Sequence, residues 1–264
     1  MLHERLSLAR PNPKNATVLH ARKLSPSMLR ITLGGPEFVD FPPNQAGGYL
    51  KLLLDGAGDA ERSIVRTYTI RHQRNGEFDV DFALHADAHD EAGPATRWAL
   101  AAQPGDTIAI GGPGAAKPLP AGFDYFLNAG DMTALPAIAV NLESLAHDAR
   151  GAAFLEVRDE ADRQDLIAPP GIDIHWLINP VPGSRPELLE DAVRSVPWPA
   201  GRLYAWAACE FSGMRRLRAY LREERGLGSD RLYLSSYWKS GLAEEAHKIV
   251  KRDDANSAVT GRAE

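Results

Sequence analysis

The chain changes its hydrophobic period once, at a glycine- and proline-rich stretch over 111–122 (Gly-Gly-Pro-Gly-Ala-Ala-Lys-Pro-Leu-Pro-Ala-Gly). Before it, short apolar runs at 28–33, 49–54, 65–71, 78–84 and 107–110 alternate with turn residues such as Gly-Gly-Pro (34–36) and Arg-Asn-Gly (74–76). Strands of that length and spacing predict an antiparallel barrel or sandwich. The run from Phe78 to Leu84 alternates apolar and polar residues at period two, as a half-buried strand does. One helix interrupts the pattern, opened by Pro94 after Gly93 and closed by Gln103-Pro104-Gly105.

After the stretch, strands alternate with helices. Strands are expected at 125–128, 152–157, 172–178, 203–207 and 232–235. Helices are expected near 135–145, 186–193, 210–225 and 242–250. Such alternation predicts a parallel sheet with right-handed crossovers, whose ligands sit at the carboxyl ends of the strands. The reading is therefore two domains, an antiparallel β-barrel over 1–118 and an α/β domain over 119–264. Residues after about Lys251 are polar and aperiodic and read as a frayed tail.

Composition narrows the function classes. The 264 residues carry a formal charge of −5, which argues against a general nucleic-acid binder. No apolar stretch reaches the length of a membrane span, and the N-terminus lacks an apolar leader core, so a cytoplasmic monomer is expected. The single cysteine, Cys209, excludes an intrachain disulfide framework and a cysteine metal cluster. His85 and His89 are four apart but lack the glutamate of a zinc-protease motif, so no metal site is expected.

Five segments could carry chemistry. Arg66-Thr67-Tyr68-Thr69-Ile70-Arg71 would put Arg66, Tyr68 and Ile70 on one face of a strand. An arginine there can clamp a pyrophosphate, and a tyrosine can lie against an aromatic ring; a sheet edge with solvated arginines is the plain alternative. Gly93, Pro94, Ala95 and Thr96 form a helix N-terminus suited to an anion, or one that merely plugs the barrel. Asn128-Ala-Gly-Asp-Met-Thr has the strand-turn-helix form of a nucleotide site, although Gly130 could equally serve backbone geometry alone. Trp206-Ala-Ala-Cys-Glu and Tyr237-Trp-Lys-Ser-Gly follow strands, where aromatics can cap a flavin or pack on the sheet.

In this order, the segments resemble the siderophore-interacting proteins, flavin-dependent ferric-siderophore reductases related to ferredoxin reductases. The likeness runs from about Thr17 to about Lys248. It rests on Arg66-x-Tyr-Thr-Ile-Arg, Val80-Asp-Phe-x-Leu-His, Gly93-Pro-Ala-x-x-Trp-Ala, Pro104-Gly-Asp, Gly130-Asp-x-Thr-Ala-Leu-Pro-Ala-Ile, Trp206-x-Ala-x-Glu and Tyr237-Trp-x-x-Gly. The resemblance implies an FAD-binding barrel followed by a nucleotide-binding domain, with electrons passing from NAD(P)H through FAD to an iron(III) chelate. Arg66, Tyr68 and Thr69 would hold the flavin, with Gly93, Pro94, Ala95 and Thr96 on its phosphates. Gly130, Asp131 and Thr133 would line the nicotinamide-nucleotide side, and Ile70, His85, Glu210 and Trp238 are further expected cofactor contacts.

Lys51, Lys239, Lys248, Lys251 and Arg252 are the basic residues expected to meet an anionic ferric siderophore. The last three would share a helix face, though cations near a helix C-terminus are often simply solvated. No side chain is assigned as a catalytic base. A reduced ferredoxin stands as an alternative donor, and a general flavin or ferredoxin-type reductase and a non-catalytic chelate-binding flavoprotein stand as alternative functions. Two positions depart from the family: Met132, where members carry an acid, and Cys209, where they carry glycine. Arg158, Asp159, Asp162 and Arg163 leave NADH and NADPH equally open.

Overall fold

The computed structural model describes residues 12–54, 64–84 and 92–260. Six strands close an antiparallel barrel: β1 (Lys14–Ser25), β2 (Met28–Gly34), β3 (Tyr49–Leu54), β4 (Ile64–Arg74), β5 (Glu77–Ala83) and β6 (Thr107–Gly114). Their order around the barrel is β1-β2-β5-β4-β3-β6. The alternation read in the sequence is realised in β5, where Phe78, Val80 and Phe82 enter the core beside Leu33, Leu50 and Ile110. Asp79 and Asp81, on the other face of β5, are buried too, because they are paired. Arg30 meets Asp81 through two bonds of 2.6 and 2.7 Å. Burial would raise the Asp79 carboxyl, but Arg74, Thr32 and His72 outweigh it and hold it well below the usual carboxylate range. Helix α1 (Pro94–Ala101) covers the barrel end with Ala95 and Ala99.

The second unit is a five-stranded parallel sheet of β7 (Tyr125–Gly130), β8 (Arg150–Val157), β9 (Gly171–Ile178), β10 (Leu203–Glu210) and β11 (Leu232–Trp238). The order is β11-β10-β7-β8-β9, so the chain reverses direction across the sheet between β7 and β10. Helices α2 (Leu135–Glu143), α3 (Leu188–Ser195) and α4 (Phe211–Arg218) pack on its faces. Gly130 is fixed by packing: a Cβ there would fall 2.7 Å from Ile138 and 2.8 Å from both Ala134 and the Ala208 carbonyl.

Two features differ from the sequence reading. Strand β1 (Lys14–Ser25) is not among the apolar runs read in the sequence, because its polar residues mask the period, and it forms through pairing with β2 and β6 on its two edges. The frayed tail is overturned: α5 runs over Glu244–Thr260. Asp254 on α5 accepts two bonds from Arg218 on α4, at 2.5 and 2.8 Å, and these tertiary contacts order a segment without an amphipathic period of its own.

Buried polar contacts lock the two units together. Asp162, fully buried after β8, accepts from Ser25 Oγ and the Ser27 amide of the barrel, each at 2.7 Å. Arg71 of β4 forms a two-bond ion pair with Glu143 of α2. Met28 and Ala83 of the barrel lie in the same apolar cluster as Leu135 and Ile138 of α2. Because Arg71 is buried, removing Glu143 strands its charge away from water. Glu143→Ala is expected to cost about 2 kcal/mol in urea denaturation, whereas unchanged stability would mean that the pair is idle.

Candidate functional site

A cleft of about 620 Å³ opens between the barrel and the parallel sheet. Its barrel wall is built from β4 and α1. Arg66, Tyr68 and Thr69 line it, as do Gly93, Pro94, Ala95 and Thr96. Arg66 lines the cleft and its Nη1 donates to the Val65 carbonyl at 2.8 Å. The Tyr68 ring is 4.4 Å from Phe82, and burial pushes its phenol up. Helix α1 has no capping side chain and no acid in its first turn. Among the described residues, none lies within 4 Å of where a Cβ at Gly93 would stand, and Gly93 itself lines the cleft.

The sheet wall is organised by Asp131, at the carboxyl end of β7. Its Oδ1 accepts from the Thr133 amide at 2.9 Å and the Thr133 hydroxyl at 2.5 Å. Its Oδ2 accepts from the Glu210 amide at 2.9 Å and from Trp238 Nε1 at 2.7 Å. One buried carboxylate thus ties together β7, β10 and β11 at the point where the strand order reverses, the usual ligand crevice of an open α/β sheet. Trp238 and Thr133 line the cleft; Asp131 lines a smaller depression beside it.

Several expected residues have other duties. Ile70 points into the barrel core and is fully buried, because strand alternation carries it away from the cleft. Glu210 caps α4, accepting from Ser212 and Gly213, and its other oxygen accepts from the Ser240 amide at 3.3 Å. Gly130 serves the packing of α2 and does not line the cleft. His85 and His89 lie outside the described residues. Cys209 is buried in the core between β10 and the adjoining helices, and burial pushes its thiol up, so it is neither exposed nor a thiolate.

The five basic residues do not form one patch. Lys251 reaches into the cleft wall and bonds Ser235 Oγ at 2.7 Å and the Ser236 carbonyl at 2.8 Å. Lys239 also lines the cleft, with its ammonium 4.2 Å from the Phe211 ring centre. Lys248 instead pairs with Glu244 one turn back, at 2.7 Å, and Arg252 pairs with Asp253 at the surface. Lys51 is exposed on the outer face of β3. Helix α5 contains Lys248, Lys251 and Arg252 at the expected spacing of three and four, but each takes a different local partner and the three do not converge on one site.

The sequence reading missed the inner face of α5 as part of the cleft. Glu244 accepts from the Thr67 amide at 3.1 Å and the Thr67 hydroxyl at 2.9 Å, joining α5 to β4. His247 lies 2.8 Å from Ser236 Oγ. The spacing of Glu244, His247 and Lys251 was the available signal, since residues three and four apart share a helix face.

The crevice at the carboxyl ends of β7 and β8 is acidic. Glu156, at the carboxyl end of β8, accepts from the Asn179 side-chain amide at 2.8 Å. Burial pushes its carboxyl up to about 7; Asp131 adds to the rise and the Asn179 bond opposes it. Of the four charged residues after β8, Arg158 reaches the Leu84 carbonyl, Asp159 caps a short helical turn, Asp162 is buried at the domain contact and Arg163 pairs with Glu160.

The raised Glu156 carboxyl has a measurable sign. It stays neutral in the folded chain below about pH 7 but ionises near 4.5 when unfolded. Stability should therefore fall as pH rises from 4.5 to 7 and level off above that range. Glu156→Gln is expected to match the parent at pH 4 and to exceed it by about 2 kcal/mol at pH 8. Urea titrations at the two pH values check this, and equal stability at pH 8 would contradict it.

Comparison with known proteins agrees with this geometry. The siderophore-interacting protein family matches residues 123–241, and the siderophore-interacting FAD-binding domain matches 17–62 and 55–117. The ferric vibriobactin reductase ViuB of Vibrio cholerae is 34% identical over 256 residues, covering 89% of this chain and 92% of ViuB. The siderophore-interacting protein SipS from Aeromonas hydrophila superposes with a TM-score of 0.81 at 35% identity, covering 93% of this chain and 98% of SipS. A siderophore utilization protein from T. fusca gives 0.78 at 32% identity, over 87% and 94% of the two chains. A ferredoxin-NADP+ reductase from Plasmodium falciparum, 13% identical with a TM-score of 0.64 over 85% and 96%, shares the fold.

Proposed function

The chain belongs to the siderophore-interacting protein family, and from that premise we propose that it is an FAD-dependent ferric-siderophore reductase drawing electrons from NAD(P)H. The observation that carries the reading is the two-sided cleft. One wall offers an arginine and an uncapped helix N-terminus, and the other offers an indole fixed by a buried carboxylate.

The residues present fit FAD. A pyrophosphate needs clustered donors, and Arg66 with the open start of α1 supplies them without an acid nearby in the helix. Tyr68 and Thr69 would orient the ring system on the barrel side, with Trp238 facing it from the sheet. FAD supplies the conversion between a two-electron donor and a one-electron acceptor. The chain's own work is to hold the cofactor, exclude water and present the chelate. Siderophore oxygens are hard donors that suit iron(III), so reduction to iron(II) loosens the chelate and releases the metal without a protein nucleophile or base.

For the donor, the acidic crevice supports a nicotinamide nucleotide held through Thr133 and backbone amides rather than through a basic clamp. Arg158 lines the depression beside Glu156, and Arg185 is near enough to act on the Glu156 carboxyl, so the crevice leaves NADH and NADPH both open. Lys239 and Lys251, on the cleft wall, supply positive charge for an anionic chelate.

Arg66→Ala tests the flavin site without relying on turnover. The parent should purify yellow, with FAD bound noncovalently near one per chain. The variant should keep its far-ultraviolet dichroism yet bind FAD at least tenfold more weakly, the scale of one lost charge-assisted bidentate contact. A parent that stays colourless and refuses added FAD would overturn the reading.

A further inference from the structure

Strands β4 and β5 part on the side of the barrel that faces the cleft. Strand β4 pairs with β3 over 64–69 but with β5 only over 70–74. Its first half therefore has a strand on one edge alone, and Arg66, Thr67, Tyr68 and Thr69 line the cleft there opposite Asp81 and Ala83 of β5. A strand edge without a ladder partner leaves its amides unfixed and free to shift. Yet Arg66 and Tyr68, the residues best suited to the cofactor, sit on this half-supported stretch with Thr67 between them.

Helix α5 supplies what β5 does not. Glu244 takes the Thr67 amide on Oε2 at 3.1 Å and the Thr67 hydroxyl on Oε1 at 2.9 Å, so one carboxylate holds both the backbone and the side chain of one residue. Glu244 is itself steadied by the Lys248 ammonium, 2.7 Å from Oε1.

The helix behind Glu244 is fixed to the sheet unit in turn. Lys251 bonds the Ser236 carbonyl and Ser235 Oγ on the edge strand β11, and His247 lies 2.8 Å from Ser236 Oγ. Further along, Asp254 pairs with Arg218 of α4. The stretch of β4 that faces the cleft is thus held by a residue anchored in the other domain.

We propose that Glu244 is a positioning residue for the flavin site: by holding Thr67 it keeps Arg66 and Tyr68 in the arrangement that binds the cofactor, so the barrel's pocket is completed by the helix that follows the parallel sheet. This rests on the FAD reading above. A carboxylate is a poor direct partner for a pyrophosphate, so its contribution to binding comes through Thr67. Groups fixed before a ligand arrives lose less freedom on binding it.

The test begins without cofactor. In FAD-free protein, amide hydrogen exchange across residues 64–69 should quicken about tenfold in Glu244→Ala. Glu244→Gln loses the charge but keeps an acceptor for the amide and a donor for the hydroxyl, so its exchange should stay within about twofold of the parent. FAD affinity should follow the same order, about tenfold weaker in Glu244→Ala and within about twofold in Glu244→Gln. Thr67→Ala, which removes only the hydroxyl, should weaken FAD about threefold alone and have no further effect when combined with Glu244→Ala. If Glu244→Ala and Glu244→Gln shift FAD binding alike, the charge of Glu244 is what matters and the positioning role is overturned. Quickened exchange with unchanged FAD affinity overturns it too, as do additive effects at Thr67 and Glu244. Should Glu244→Ala fail to fold, unchanged FAD affinity in Thr67→Ala overturns it by itself. A parent that refuses FAD overturns the flavin reading, whereas a parent that binds FAD beside unaffected variants overturns the positioning role alone.

Discussion

The site depends on the way two sheets that share no strand are fixed to one another. A cleft at a domain boundary is useful only if its walls keep their spacing, and three polar ties hold it. Asp162 is sunk into the barrel edge, Arg71 reaches Glu143 on α2, and Glu244 reaches Thr67 from α5. Each is a charged or carboxylate group that would be costly to bury unpaired, so the partners specify orientation as well as adhesion. Met28 and Ala83 then seal the contact with apolar surface.

That constraint explains the division of labour within the cleft. The barrel contributes the donors that suit phosphate, because β4 and the start of α1 meet at its rim. The sheet contributes Asp131, whose two oxygens accept four bonds and hold Trp238, Thr133 and the β10 terminus in one arrangement. Asp131 and Glu156 put negative charge at the carboxyl ends of β7 and β8, and Lys239 and Lys251 put positive charge beyond β11 on the same wall, so the crevice has two polarities along its length. A reductase that conveys electrons between unlike partners needs such separation more than it needs a reactive side chain.

Much of this was legible in the sequence, for identifiable reasons. The period change across 111–122 separated barrel from sheet, since turn chemistry and side-chain period are local properties. Arg66, Tyr68, Thr69 and the Gly93–Thr96 turn were legible because their motifs are contiguous. What escaped depends on contacts between distant residues. The ordering of α5 beyond Lys251 comes from Arg218, thirty-six positions before Asp254. Glu244 meets Thr67, 177 positions before it, only because α5 docks against the barrel. Glu210 and Ile70 sit inside recognisable motifs, yet one serves as a helix cap and the other as core packing.

The central claim, electron transfer from a nicotinamide nucleotide through FAD to chelated iron, has a direct stoichiometric consequence. Under anaerobic conditions the FAD-loaded protein is mixed with a limiting amount of NADH, excess ferric siderophore and an iron(II)-trapping ligand. Each nucleotide consumed carries two electrons and each iron accepts one. The account predicts sustained turnover with two iron(II) trapped per NADH oxidised, and no iron(II) from the flavin-free Arg66→Ala protein. NADH and NADPH that both fail to reduce the bound flavin, or nucleotide consumption without iron(II), would contradict it.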